Sequence, residues 1–172
     1  MRTITLNPGA LANPLSDLAE KLGDLFSPII LAITTAMATS FKSELMTATH
    51  NFSVGGNNFR LALFDGTATM DSTTTTYTGT NEVVGSGYTA GGQLLTNVAP
   101  TTSGTTAFTT FNSPLTWTAA TFTAAGCQIY NSTNGNRSVG VFSFGSNIPV
   151  VSGNFTLSFP TANATAAVLR IQ

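Results

Sequence analysis

From Asn51 onward, apolar side chains alternate with threonine, serine and other small polar side chains over short stretches. Successive side chains of a β-strand point to opposite faces of the sheet, so this period of two predicts strands that bury one face. The clearest stretches read FRLALFD, LTWTAATFT, GCQIYN, RSVGVFSFG, GNFTLSFP and AAVLRIQ. Together with their weaker neighbours they predict about seven or eight short strands.

The connections between these stretches indicate an antiparallel arrangement. Asn134-Gly135 lies between GCQIYN and RSVGVF, and this dipeptide is typical of a tight hairpin turn. Strands and helical segments do not alternate, so the sequence predicts a mainly β, antiparallel β-sandwich or jelly-roll-like body. Six residues on the alternating strands are expected to face its core: Trp117, Phe122, Val139, Val141, Phe155 and Leu157.

Residues 70–92, MDSTTTTYTGTNEVVGSGYTAGG, do not follow this alternation. The stretch is polar and rich in glycine, and its large apolar anchors are Tyr77, Val83, Val84 and Tyr88. It is predicted to form a long ordered loop, either a binding surface or simply a solvated loop.

The first 47 residues have a different character and are predicted to form a separate arm with one or two hydrophobic or amphipathic helices. One helix is expected after Ser16, which can cap it. A second is expected to begin at Ser27-Pro28 and to run to about Met46, with residues 48–172 forming the β body. The apolar face of the second helix is predicted to be buried between chains, and it consists of Ile29, Ile30, Ile33, Met37 and Phe41.

Export or membrane anchoring is an alternative use of this segment. The stretch from Leu25 to Phe41 carries no charge, but its 17 residues include five hydroxyl side chains and a proline. That length is at the lower limit for a membrane span, and the acidic residues before it do not resemble the basic start of a signal peptide. Burial between subunits is therefore the preferred interpretation.

Charge is scarce throughout the chain. Charged residues make up 8% of the sequence, against about 25% in an average soluble protein. Beyond Glu82 the only charged side chains are Arg137 and Arg170. A weakly charged surface rich in hydroxyl groups suits a protein held in an assembly, and a net charge of −1 gives no footprint for nucleic acid.

The residue types that carry catalysis are few. His50 is the only histidine and lies at the junction of the predicted helix and the first strand, so a catalytic role is not favoured. Cys127, the only cysteine, is expected to be a small buried apolar residue. Asp65, Asp71 and Glu82 flank the polar loop, where a calcium site is conceivable, but they lack EF-hand spacing. We therefore predict no catalytic site, metal or cofactor.

Residues 41–171 resemble a family of small proteins encoded widely by tailed bacteriophages. The resemblance lies in SFKSELMTATHNF, in FRLALFDGTATMDSTTTTYTGTNEVVGSGYTAGGQLL and in TWTAATFTAAGCQIYN, followed by NRSVGVFSFG and GNFTLSFPTANATAAVLRI. It covers about three quarters of the chain, and the order of the motifs is more specific than any one of them. The resemblance implies a structural component of the virion and brings no enzymatic residues with it.

The expected function is therefore that of a virion structural protein, with a capsid decoration or cement protein as the leading interpretation. The expected partners are the major capsid protein or another virion protein, and copies of the chain itself in a dimer or trimer. One alternative is a tail, neck or fibre component. Others are a module whose loop from Asp71 to Gly92 binds a host receptor or glycan, and an exported surface protein.

Overall fold

The structure, a computed structural model, describes residues 33–172. This part of the chain is mainly β, with one short helix, α1 (Thr39–Met46). The predicted arm and first helix, and the start of the predicted second helix, lie outside the described residues. The strands are β1 (Ala36–Met37), β2 (Phe59–Phe64), β3 (Gln93–Leu95), β4 (Thr101–Ser103), β5 (Thr106–Thr109), β6 (Leu115–Asn131), β7 (Arg137–Leu157) and β8 (Leu169–Ile171).

These strands form two antiparallel sheets. The larger sheet has the order β1-β7-β6-β2-β3, and the smaller sheet has the order β4-β5-β8. The main core cluster includes buried strand residues of the large sheet, and Leu169 of the small sheet packs against it. The antiparallel arrangement predicted from the alternating pattern is confirmed, and two packed antiparallel sheets are consistent with a β-sandwich.

The longest pairing in the described region is the hairpin of β6 and β7. Residues 132–136 connect the two strands, and Gly135 and Asn136 adopt positive φ angles of 64° and 56°. The predicted turn is therefore confirmed, although its connection has five residues. The stretches LTWTAATFT and GCQIYN form one continuous strand, and RSVGVFSFG forms another together with GNFTL, the first part of GNFTLSFP.

Both faces of the large sheet are buried. In β2, Phe59, Leu61 and Leu63 belong to the main core cluster, whereas Ala62 and Phe64 belong to a second cluster with Ile33 and Met70. The second cluster lies where the segment after β2 packs back against the sheet. Because both faces of β2 are buried, the strand is apolar at nearly every position and does not strictly alternate.

The six residues predicted for the core differ in depth. Trp117, Phe122, Val139 and Val141 are buried, whereas Phe155 and Leu157 are half-buried and pack against the main cluster. Val139 and Val141 lie in different clusters. The pairing of β6 with β7 shifts between Ile129 and Tyr130, which inserts one extra residue into β7 and reverses the face to which Val139 points.

The prediction of a helix from residue 27 to residue 46 is confirmed for Thr39–Met46 but is wrong for residues 33–38, which are not helical. Thr34 donates its backbone N–H to Met70 O at 2.8 Å, and Ala36 and Met37 pair with Val141 and Gly140 of β7. The helix begins only at Thr39. Pairing with the open edge of β7 gives these backbone groups hydrogen-bond partners. The stabilisation from this pairing is larger than the modest helix propensity of the segment.

The segment before α1 is part of the β body. Ile33 packs over Gly126, where a Cβ atom would lie only 2.9 Å from the Ile33 side chain, so glycine makes room for it. Phe41 of α1 is fully buried in the main cluster. Residues 33–172 lie in one compact unit, so the boundary predicted between residues 47 and 48 falls inside it.

Candidate functional sites

The sole histidine of the chain lies in a buried polar network. His50 Nε2 is 2.7 Å from Glu44 Oε2, and Arg137 donates from Nη1 to Glu44 Oε1 at 2.6 Å. On the other side of the ring, Asn131 Nδ2 lies 3.0 Å from His50 Nδ1. The network joins α1, the segment after it and both strands of the β6–β7 hairpin.

The neighbours of Asn131 determine the tautomer of His50. Asn131 Oδ1 accepts the backbone N–H groups of Thr133 and Asn134, so its Nδ2 group must be the donor to His50 Nδ1. The imidazole proton therefore lies on Nε2 and is donated to Glu44. Both ring nitrogens are occupied and the side chain is fully buried, so neither is positioned to activate a nucleophile.

Glu44 is held in its ionised form by this network. Burial acts to raise its pKa, but hydrogen bonds from His50 and Arg137, together with the charge of Arg137, lower the pKa below its usual value of 4.5. A buried carboxylate of this kind, with donors on both oxygens, connects elements that are distant in sequence. We interpret it as a structural clamp.

Cys127 is a buried side chain of β6 in the main core cluster. Burial raises the pKa of its thiol to about 12. A thiol with so high a pKa is almost wholly protonated near neutral pH and is a poor nucleophile.

The three acids considered for a calcium site lie in separate environments. Asp65 Oδ1 accepts hydrogen bonds from the N–H and hydroxyl of Thr67, and Asp71 Oδ1 accepts the same pair from Thr73. Hydrogen bonds from the Thr73 hydroxyl and N–H lower the pKa of Asp71. Each aspartate thus stabilises its own turn. Within residues 33–172, no group of three or more His, Cys, Asp and Glu side chains could hold a metal ion.

Glu82, the third acid, anchors the polar loop of residues 70–92. It is only 7% exposed and accepts hydrogen bonds from the hydroxyls of Tyr77 and Tyr88, both at 2.6 Å, and from the N–H of Gly91 at 2.7 Å. Burial, followed by the hydrogen bond to Glu82, raises the pKa of each tyrosine well above its usual value of 10.0. The loop is therefore ordered by a buried carboxylate that its own tyrosines satisfy.

The end of this loop is fastened to the large sheet. Arg60 donates from Nε to Gly91 O at 2.9 Å and from Nη2 to Gly92 O at 2.6 Å, and Tyr130 also donates to Gly91 O. The ring of Tyr130 stacks on Tyr77 at a centroid distance of 4.3 Å. Arg60 thus satisfies backbone carbonyls and forms no ion pair with a carboxylate in the described region.

A pocket of about 330 Å³ lies between the first half of this loop and the large sheet. It is lined by threonine hydroxyls, two side-chain amides and an apolar floor. The lining residues are Phe64, Ala68, Thr69, Met70, Thr74, Thr76, Thr78, Thr80, Asn81 and Gln128.

A larger apolar groove, of about 640 Å³, lies between α1 and the small sheet. Met46 at its edge is 88% exposed, and Ile171 is also exposed. Lys42 and Arg170 supply positive charge, and no carboxylate side chain lines the groove. Its lining consists of Met37, Phe41, Lys42, Leu45, Met46, Phe52, Pro100, Ala107, Phe108, Thr109, Leu169, Arg170, Ile171 and Gln172.

The structure divides the residues predicted to form one interface between chains. Met37 and Phe41 line the groove, but Phe41 is fully buried in the core of its own chain. Ile33 is buried in the second cluster, which includes residues of the opposite face of the sheet. Ile29 and Ile30 lie outside the described residues. An interface across all five on one helical face is therefore not formed, because residues 33–38 are extended.

The exposed groove residues were not found from the sequence. Met46 belongs to the helical pattern, but the small sheet facing it is formed by β4, β5 and β8, which are distant in sequence. The Glu44–His50 contact spans only six residues, yet Asn131 and Arg137 join it through the hairpin. No periodic pattern connects these positions.

Comparison of the chain with protein-family models, with curated proteins and with solved structures gave no match. Within residues 33–172, the helix is too short to cross a membrane.

Proposed function

We propose that this chain is a structural protein of a tailed-bacteriophage virion and that it decorates the capsid by binding the major capsid protein. The observation that carries the proposal is the apolar groove between α1 and the small sheet, with exposed Met46 and Ile171 at its edge. The resemblance of residues 41–171 to a phage family supplies the biological setting.

The groove has the composition of a protein-binding surface. Exposed apolar residues that cluster in a concave surface mark an interaction site more often than scattered ones do. Interface centres are apolar and poor in charge, and their rims are polar. Lys42 and Arg170 at this groove favour a partner segment that carries both apolar side chains and carboxylates.

Arg170 strengthens this expectation. Its Nη1 donates to Thr165 O at 3.0 Å, whereas its Nε is buried and has no hydrogen-bond partner among the described residues. A guanidinium has five N–H donors, and the Nη1 bond to Thr165 O is its one hydrogen bond among the described residues, so a carboxylate of a partner protein would pair with its charge.

The charge pattern also suits permanent assembly. Glu44 and Arg137 pair with each other, Glu82 is buried, and Arg60 binds backbone carbonyls. Within residues 33–172, this leaves only Lys42, Asp65, Asp71 and Arg170 as further charged side chains to keep separate copies apart in solution. The proposal therefore includes self-association as a dimer or trimer, without nucleic acid or cofactor and without enzymatic activity.

In this proposal the antiparallel body is a jelly-roll-like sandwich on the outside of the shell. The N-terminal residues act as an arm that anchors it to neighbouring proteins. The same surface chemistry could serve a tail, neck or fibre position, and the number of copies in the particle distinguishes those positions from decoration.

Binding of the purified chain to particles that lack it tests the role of the groove. Met46→Lys introduces charge at the groove edge, and lysine is tolerated at a helix C-terminus. The matched control is Val84→Lys, because Val84 is 93% exposed and lies outside the groove. We expect Met46→Lys to lose co-sedimentation with particles and Val84→Lys to retain it. Equal binding by both variants would show that the groove is not the capsid contact.

A further inference from the structure

The pocket beneath the polar loop has features of a small-molecule site that the proposed virion role does not use. Its volume of about 330 Å³ lies at the lower end of the range for ligand pockets. One wall is the loop of residues 74–81, and the other is the large sheet at Phe64 and Gln128. The loop wall is ordered by Glu82, which accepts hydrogen bonds from the hydroxyls of Tyr77 and Tyr88.

The lining has an unusual chemistry for a pocket of this size. Five of its ten residues are threonines and two carry side-chain amides, while no lining residue is charged. Phe64, Ala68 and Met70 are buried and provide an apolar base. Hydroxyl and amide groups both donate and accept hydrogen bonds, so the pocket matches a neutral ligand that does the same around an apolar ring.

Gln128 supplies the second, independent observation. It lies on β6 between Ala62 and Val141, and its residue is only 1% exposed. Its Nε2 group has no hydrogen-bond partner among the described residues, although the residue lines the pocket. A buried amide donor without a partner costs free energy, and such groups in native proteins are usually satisfied by water or a ligand.

We propose that this pocket binds one neutral hexopyranose ring. Threonine hydroxyls and Asn81 would contact the sugar hydroxyls, the apolar base would pack against its C–H groups, and Gln128 would donate to one ring substituent. The absence of charged lining residues disfavours sugar phosphates and uronic acids, whose charge would be left without a partner. This inference does not depend on the proposed capsid contact, because the two sites share no lining residue.

The test is a nuclear magnetic resonance titration of the full chain with D-glucose, D-galactose, D-mannose and N-acetyl-D-glucosamine at millimolar concentrations. D-Glucuronate is the charged control and cyclohexanol the apolar one. We expect at least one neutral sugar to give saturable shifts at pocket residues, including the side-chain amide of Gln128. We expect little or no response to either control.

Three variants assign the binding to this pocket. Thr78→Val and Gln128→Met each remove hydrogen-bonding capacity at similar size, and each should weaken binding about two- to tenfold. Thr123→Val is the matched control, because Thr123 is an exposed threonine of β6 outside the pocket, and it should bind like the parent. Since Thr78 is exposed, its variant should fold even if Gln128→Met does not.

Several results would overturn the proposal. One is the absence of saturable shifts with all four sugars, which would leave water as the occupant of the pocket. Another is binding that neither Thr78→Val nor Gln128→Met weakens. A third is an equal response to cyclohexanol, which would indicate an unselective apolar cavity. If binding is found, repeating the titration with an oligosaccharide that ends in the same ring separates a free sugar from the end of a glycan chain as the source.

Discussion

His50 and Glu44 form a buried hydrogen bond of 2.7 Å across the end of the only described helix. The helix ends at Met46, Ala48 then adopts a positive φ of 55°, and the chain turns back so that His50 packs 4.8 Å from the Phe41 ring. Arg137 and Asn131 complete the arrangement from the β6–β7 hairpin. This contact ties the helix, and with it one wall of the apolar groove, to the large sheet.

Replacing Glu44 with glutamine tests the clamp. The variant loses the charge that receives the Arg137 and His50 hydrogen bonds, and we expect it to lower the free energy of unfolding by about 2 kcal/mol. Arg137→Gln should cost less, below about 1 kcal/mol, because the Arg137 side chain is 48% exposed. Urea denaturation at neutral pH measures both. Equal losses would mean that the exposed ion pair, and not the buried network, supplies the stability.

The same network predicts an acid-dependent loss of stability. The pKa of Glu44 is lower in the folded chain than its usual value of 4.5, so the folded state favours the ionised carboxylate. The contribution of Glu44 to the free energy of unfolding is complete above its unfolded-state pKa. This contribution is lost as the pH falls through the lower folded-state pKa. Urea midpoints should therefore decline between about pH 5 and pH 3, and less steeply in Glu44→Gln than in the parent. Identical pH profiles for the two proteins would contradict this assignment.

The two tyrosines that donate hydrogen bonds to Glu82 should differ in their contribution to the free energy of unfolding. Tyr88 donates to Glu82 and accepts the backbone N–H of Leu63 at 2.9 Å, so Tyr88→Phe removes a partner from each of these two groups. We expect a cost of about 1–3 kcal/mol and faster protease cleavage within residues 70–92. Tyr77→Phe removes only one contact at a half-buried ring and should cost about 1 kcal/mol. A larger loss in Tyr77→Phe than in Tyr88→Phe would refute this description of the loop.

Two phenylalanines should separate the deep core from its edge. Phe59 is fully buried and stacks on Phe52 at 4.3 Å, so Phe59→Ala should cost about 3–5 kcal/mol. Phe155 is half-buried beside Trp117 and Phe122, and Phe155→Ala should cost only about 1–2 kcal/mol. Thermal or urea unfolding measures the difference. Comparable losses would place Phe155 in the core and imply that another surface covers it.

The sequence was sufficient to locate β2, β6, β7 and β8, because alternation is a local property, but it did not locate β1, β3, β4 or β5. It located the stretches around Trp117 and Phe155 and the turn at Asn134-Gly135. It could not show that four of these stretches merge into two long strands, because their turn-like residues are absorbed as irregular pairing within the hairpin. A strict period of two also cannot predict the extra residue in β7 that places Val139 and Val141 on different faces of the sheet.

The helix and the candidate sites depended on tertiary contacts. Ile33, Met37 and Phe41 have helical spacing, yet residues 36–37 pair with the open edge of β7 and only Phe41 lies on the helix. The polar loop was recognised from its composition, but its pocket arises because Gln128 of β6 lies beneath it. The groove requires α1 to face the sheet of β4, β5 and β8, which are distant from α1 in sequence. Such sites are set by pairing across the chain, which local patterns do not encode.

The number of copies of this chain in purified phage particles tests the central claim most directly. A decoration protein that binds the major capsid protein should be present at a stoichiometry within a small factor of that protein, because closed shells repeat each contact by symmetry. Quantitative mass spectrometry of purified particles measures this ratio. We predict that the number of copies of this chain lies within a small factor of the number of copies of the major capsid protein. Absence from the particle, or a copy number that is a small minority of the capsid protein, as in a neck or fibre, would contradict the decoration role.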